Sequence, residues 1–141
     1  MKVLVDTNIV LDIALNRKQF VADAVLLWKL AEQKVIVACL SNTSITDIYY
    51  IVRKHAGQDK ARTFIADLLD TFRLADIDEA GFRDALNSGM RDFEDAVQYE
   101  ICVQNGCDAL VTRNKADYGQ RPNVLNPAEL IETINARLSI L

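Results

Sequence analysis

Met1-Lys2-Val3-Leu4-Val5-Asp6-Thr7-Asn8 is the stretch whose reading decides the fold. Residues 3–5 form a short apolar run that ends abruptly in a carboxylate. A buried parallel strand does this when it delivers a charged side chain to the edge of its sheet. Behind it, residues 7–15 carry Ile9, Val10, Ile13 and Ala14 at the spacing of a short helix with one buried stripe, for which Asp6 or Thr7 is the N-cap. Ligands of open α/β sheets gather at the carboxyl ends of the strands, so Asp6 occupies a candidate ligand position. Two more strand-like runs, residues 35–40 and 109–112, also lead into polar residues.

Working outward, the intervening segments are helical in period. Residues 20–33 place Ala24, Leu27, Trp28 and Ala31 on one face, and residues 58–72 place Phe64, Ile65, Leu68, Leu69 and Phe72 on one side. Ser41-Asn42-Thr43-Ser44-Ile45-Thr46-Asp47 is rich in capping residues and runs into Ile48, Tyr49 and Val52, a helix that Gly57 ends. Residues 73–77 predict a weak edge strand and residues 78–90 a short helix and loop. Asp92-Phe93-Glu94-Asp95 opens a helix through Val103 or Gln104, stopped by Asn105-Gly106. Residues 113–119 form a polar loop or a turn of helix, and Val124-Leu125 is a short last strand. Asn126-Pro127-Ala128-Glu129 combines an N-cap, a first-turn proline and a capping-box glutamate, starting a helix over about residues 127–138. Strands alternating with helices predict a central parallel sheet of four to five strands covered on both faces, an α/β/α architecture. The right-handed crossover rule then brings the strand ends to one edge. Asp6, Asp47, Asp95 and the 114–117 loop are expected to converge there.

The bulk composition bounds what such a site can be. At 141 residues the chain reads as one domain, residues 1–141, able to bury roughly two-thirds of its unfolded surface without disulfides. No apolar stretch approaches the roughly 18 residues of a membrane span, and the first apolar run is too short for a secretory signal, so a cytoplasmic protein without membrane contact is expected. Cys39, Cys102 and Cys107 include no Cys-x-x-Cys pair, and His55 is the only histidine, which argues for buried thiols rather than a zinc site. The net charge of −4 argues against a nucleic-acid binder that works through an overall positive field. Carboxylates filled by divalent cations still present local positive charge in an acidic protein.

Taken singly, each acid has a local role. Asp6 can cap a helix, Asp47 can close a Ser44-x-x-Asp47 capping box, Asp92 can be an N-cap, and Asp95 can face a helix dipole. Gathered at one edge they are harder to explain. Two carboxylates about 4 Å apart repel by roughly 4 kcal/mol at an effective dielectric constant of about 20. A cluster of three or four needs a cation, and oxygen-only ligands select a hard ion such as Mg²⁺ or Mn²⁺.

Val5-Asp6-Thr7-Asn8, the interval from Ser41 to Asp47, Asp92-Phe93-Glu94-Asp95-Ala96 and Thr112-Arg113-Asn114-Lys115-Ala116-Asp117-Tyr118 together resemble, in order and spacing, the signatures of PIN-domain ribonucleases. The similarity is to PilT N-terminus-like and VapC-like proteins. It implies a PIN-like fold in which Asp6, Asp47 and Asp95 are catalytic, metal-binding acids, Asp117 or Asn114 completes the fourth corner, and Asp92 is a further metal ligand. The second acid of the pattern is usually glutamate, and Asp47 is one methylene shorter. Thr7, Asn8, Thr112 and Asn114 carry hydroxyl or amide groups suited to orienting the carboxylates, or to local caps and turns. Arg113 and Lys115 are candidates for tracking RNA phosphates. Asp12 is expected to be a solvated surface acid and His55 a helix-end residue.

The resemblance therefore implies a Mg²⁺- or Mn²⁺-dependent endoribonuclease, the toxin of a pair with a cognate antitoxin protein, and a homodimer using surface around Tyr49, Tyr50 and Phe64. A different reading, motivated by Asp47, is a PIN-like binding module with weak or no catalysis that acts through a protein partner. A phosphotransfer domain with Asp6 as nucleophile ranks below both, because no second aspartate follows Asp6 by two residues.

Overall fold

The computed structural model describes residues 1–140. The chain runs β1 (Lys2–Val5), α1 (Thr7–Ala14), α2 (Val21–Glu32), β2 (Val37–Ser41), α3 (Ile45–Ala56), α4 (Gln58–Thr71), β3 (Arg73–Ala75), α5 (Glu79–Leu86), α6 (Phe93–Gln104), β4 (Ala109–Val111), β5 (Val124–Leu125) and α7 (Pro127–Ile140). All strand pairings are parallel, and the five strands lie in the order β3-β2-β1-β4-β5. The chain therefore winds outward from β1 to one edge, returns, and winds to the other. The switch point falls between β1 and β4, whose carboxyl ends open the crevice where such sheets bind ligands.

Alternation along β1 explains the layers. Val3 and Val5 point into a core built with α1, α2, α3, α4 and α7, through residues such as Leu27, Ile48, Leu68 and Leu130. Leu4 points the other way, against Cys39, Leu110, Ile101 and Tyr118, under α5 and α6. After the half-buried Lys2, β1 must therefore be apolar at every position, and Val3, Leu4 and Val5 are all at 0% exposure. Gly57 joins α3 directly to α4 with φ of 92°, a conformation that glycine enters at no Cβ cost.

The structure departs from the sequence expectation in several places. β2 begins at Val37 rather than residue 35. Lys34 turns left-handed at φ 60°, and the amides of Val35 and Ile36 both reach back to the Leu30 carbonyl, at 3.0 and 3.4 Å, closing α2 instead of joining the sheet. Leu69, expected on the buried side of α4, is 49% exposed. The Ser44-x-x-Asp47 capping box does not form: the Ser44 side chain makes no cap bond, and its hydroxyl accepts from Thr7 Oγ1 at 2.8 Å. The Asn126–Glu129 box does form, with reciprocal bonds of 2.8 and 3.1 Å. Cys39 and Cys102 are buried and Cys107 half-buried, all in the α6-side core. Among the described residues no helix is long and apolar enough to cross a membrane.

Asp12 is the largest correction. It is 1% exposed, not solvated, because α1 turns it inward where Arg17 Nη1 reaches Oδ1 at 3.1 Å and Arg113 Nε reaches Oδ2 at 2.9 Å. Arg113 Nη2 adds a bond of 3.2 Å to Oδ1, and its guanidinium lies 4.0 Å over the Phe20 ring.

Candidate active site

Asp6 is the last extended residue after β1 and the N-cap of α1, so the backbone itself aims its carboxylate over the sheet edge. Its amide remains in the ladder, donating to the Val111 carbonyl at 2.9 Å. Oδ1 accepts from the Asn8 amide at 3.3 Å and Oδ2 from Thr112 Oγ1 at 2.8 Å. Thr112 Oγ1 in turn accepts from the Asn114 amide at 3.2 Å, which ties the loop after β4 to Asp6. Burial raises the Asp6 pKa above the ordinary carboxylate value, against the lowering effects of Thr112, Asn8 and the Arg113 charge.

Asp95 occupies the first turn of α6, where its amide donates to the N-cap Asp92 Oδ1 at 2.9 Å. Desolvation, followed by the charges of Asp92, Asp6 and Asp117, pushes its pKa up to about 6; the Tyr118 hydroxyl, 3.4 Å from Oδ1, acts in the opposite sense. Asp47 enters from the first turn of α3, and Asp117 from a 3-10 turn over Lys115–Tyr118. These elements surround one open cleft of about 550 Å³, lined by Asp6, Asp47, Asp92, Asp95 and Asp117 together with Thr7, Asn8 and Asn114. Thr112 is fully buried just behind it.

Arg113 and Lys115 are not in this cleft. Arg113 is drawn to Asp12 and lines a separate cavity with Phe20 and Asn126, while Lys115 Nζ is paired with both oxygens of Glu129, at 2.9 and 3.0 Å. Three cleft-side residues escaped the sequence reading. Glu94 lines the cleft, and its pKa is raised by desolvation and then by Asp92, Asp47 and Asp6, so it brings a longer acidic side chain within electrostatic range of Asp47. Gln98 lies three residues beyond Asp95, on the same helix face, and is 4% exposed; this spacing was a readable signal. Arg91 borders an adjoining groove with Asp92, Asp95 and Asp117.

The cleft is electrostatically one-sided. Neither lysine nor arginine lines it, and among the described residues none of its carboxylates takes part in a salt bridge. Among the same residues, no three histidine, cysteine or acidic side chains are gathered closely enough to hold an ion between them. The donor set is nevertheless all oxygen, and hard cations such as Mg²⁺ are commonly bound through one or two carboxylates while keeping several waters. Spread carboxylates around a roomy cleft suit that mode.

The PIN domain family profile matches residues 2–116, from β1 through the loop after β4. The chain belongs to the PIN domain family. This PIN domain is 24% identical over 139 residues to a protein named ribonuclease VapC1 from Aquifex aeolicus (strain VF5), covering 95% of this chain and 96% of that one. Its fold superposes on a chain of a toxin-antitoxin complex from Klebsiella pneumoniae with a TM-score of 0.65 at 22% identity, covering 89% of this chain and 97% of that one. It also superposes on a chain of VapBC2 from Rickettsia felis, solved bound to a DNA fragment from their promoter, with a TM-score of 0.62 at 15% identity and coverage of 89% and 97%. The five-stranded parallel sheet flanked by helices is the fold shared with these structures.

Proposed function

We propose that this PIN domain is a Mg²⁺- or Mn²⁺-dependent endoribonuclease and the toxin of a toxin-antitoxin pair. The observation that carries the metal-dependent chemistry is the ring of carboxylates at the switch point with no basic side chain lining the cleft. A phosphodiester cannot approach that much negative charge until a cation offsets it. RNA as substrate and an antitoxin as partner are supported by the relative named as a ribonuclease and by the neighbours from toxin-antitoxin complexes.

Asp6, Asp47, Asp95 and Asp117 would surround the ion, one or two of them binding it directly and the others through its waters, with Asp92 beside them. Once bound, it would polarise the scissile phosphate and lower the pKa of an attacking water, so that hydrolysis proceeds without a covalent enzyme intermediate. Thr112 and Asn8 hold the two oxygens of Asp6 in fixed directions, and Tyr118 orients Asp95. Asn114 is anchored through Thr112 and keeps the Asp117 loop against the cleft. Arg91, on the adjoining groove, is better placed than Arg113 or Lys115 to meet an RNA phosphate.

Cleavage of a mixed RNA pool with Mn²⁺, with EDTA, and by Asp6→Asn tests the reading. Cleavage should require the ion and be lost in the variant; activity indifferent to chelation or to the substitution overturns the metal mechanism. Asp47 favours a second reading, a binding module that acts through a protein partner. Stabilisation by Mn²⁺ without cleavage of any RNA, with cleavage restored by Asp47→Glu, supports it. An antitoxin blocking the cleft would cover Tyr50, 60% exposed at its rim. Light scattering of the isolated chain decides whether that face instead joins two copies, the homodimer that the family resemblance implies.

A further inference from the structure

Gln98 carries the one buried side-chain nitrogen or oxygen without a hydrogen-bond partner among the described residues, its Oε1. The amide is oriented by a chain of hydrogen bonds: Nε2 donates to Thr7 Oγ1 at 3.4 Å, and Thr7 Oγ1 donates in turn to Ser44 Oγ at 2.8 Å. These bonds connect α6, α1 and the turn before α3 beneath the acidic cleft, which Gln98 lines. An acceptor left this way, in a side chain 4% exposed, costs free energy that an apolar residue of the same shape would not. Its cost is offset if a donor enters the cleft with the ligand.

The surrounding carboxylates are themselves acceptors and give Oε1 nothing. They are also too spread for three of them to close on a bare ion, so an ion held there keeps part of its water shell. Such a shell is positively polarised and consists of donors. It answers both demands of the cleft, charge for the acids and a hydrogen for Oε1. We propose that Gln98 is a positioning residue whose Oε1 accepts a hydrogen bond from the water shell of a divalent cation in the acidic cleft. The assignment rests on the metal reading of the cleft and adds a neutral residue, three positions past Asp95, to the groups that orient the ion.

Gln98→Met keeps the length and removes both polar atoms; Gln98→Glu keeps an acceptor and removes the amide donor. Mn²⁺ affinity is measured by electron paramagnetic resonance titration of free Mn²⁺, and metal-free melting by calorimetry. Gln98→Met should weaken Mn²⁺ binding by about 10-fold, the low end for partners that orient a metal site. It should leave metal-free melting unchanged or raised, while Gln98→Glu should bind Mn²⁺ at least as tightly as the native chain. Unchanged affinity in Gln98→Met, a clear fall in its metal-free melting temperature, or equal loss of affinity in Gln98→Glu overturns the assignment. If the native chain itself takes up no Mn²⁺, the metal reading falls and the assignment with it; if it binds and Gln98→Met binds equally, only the assignment falls.

Discussion

Asp6 and Asp12 stand at opposite ends of the same short helix, and both are buried, at 9% and 1% exposure. Asp12 is matched by two arginines, one from the loop after α1 and one from 101 residues further along the chain. Asp6 receives only neutral hydrogen-bond donors and shares the cleft with five other acids, Asp47, Asp92, Glu94, Asp95 and Asp117. A buried charge without a partner is unfavourable. At Asp12 the fold supplies the countercharge from within; at Asp6 it leaves the countercharge to come from solution. That difference separates a structural acid from a ligand-binding one more clearly than burial does.

The contrast is open to test from both sides. The largest effect is expected for Asp6→Asn, which should reduce RNA cleavage by more than about 100-fold, beyond the range of a residue that merely supports a ligand. Because burial disfavours the ionised form of Asp6, metal-free stability should hold or rise, and a strongly destabilised Asp6→Asn would make Asp6 a structural acid like Asp12. Conversely, Asp12→Ala strands Arg17 and Arg113. Breaking a buried pair costs about 3–5 kcal/mol, here at the lower end because both guanidinium groups are partly in water. Chemical denaturation checks it, and cleavage well below the melting point should change far less than for Asp6→Asn.

A third, intermediate effect concerns pH. The Asp95 pKa in the folded chain is raised from the ordinary 3.8 to about 6. A group raised on folding adds stability that is fully present below its unfolded pKa and lost as pH rises through its folded pKa. Without divalent ions, the melting temperature of the native chain minus that of Asp95→Asn should therefore fall between pH 3.8 and pH 6 and level off above. Mn²⁺ at neutral pH should raise the native melting temperature, since it favours the ionised carboxylates. A difference curve that rises with pH would reverse the electrostatic picture of the cleft.

The smallest effect is reserved for Lys115→Ala. The Lys115–Glu129 pair is exposed on both sides, and such pairs contribute about 0–1 kcal/mol. Stability and the KM for RNA should barely move. A clear rise in KM would return Lys115 to the substrate path despite its engagement with Glu129.

Much of this was legible in the linear chain because apolar periodicity reports directly on which face is buried. The Asn105-Gly106 stop and the Asn126–Glu129 cap rest on contacts within a few residues, while the β1 run and, Leu69 apart, the stripe of α4 show in local apolar periodicity although their packing partners are remote in sequence. The convergence of Asp6, Asp47, Asp95 and Asp117 was legible too, since handed crossovers bring parallel strand ends to one edge. Boundaries were less so. The two residues before β2 have the composition of a strand, and only competition from the open carbonyl at the end of α2 removes them from it.

Sequence alone determined the alternation of elements, the parallel sheet and the acids at its edge, since these follow from local periodicity and chain handedness. Tertiary structure decided which polar groups find partners. Asp12 looks like a surface acid until Arg113 arrives from the loop after β4, Arg113 looks like an RNA contact until Asp12 claims it, and Gln98 looks like an ordinary helix residue until its oxygen is buried with nothing to accept from. Polar pairing depends on direction and distance between segments remote in sequence, and no local pattern encodes those.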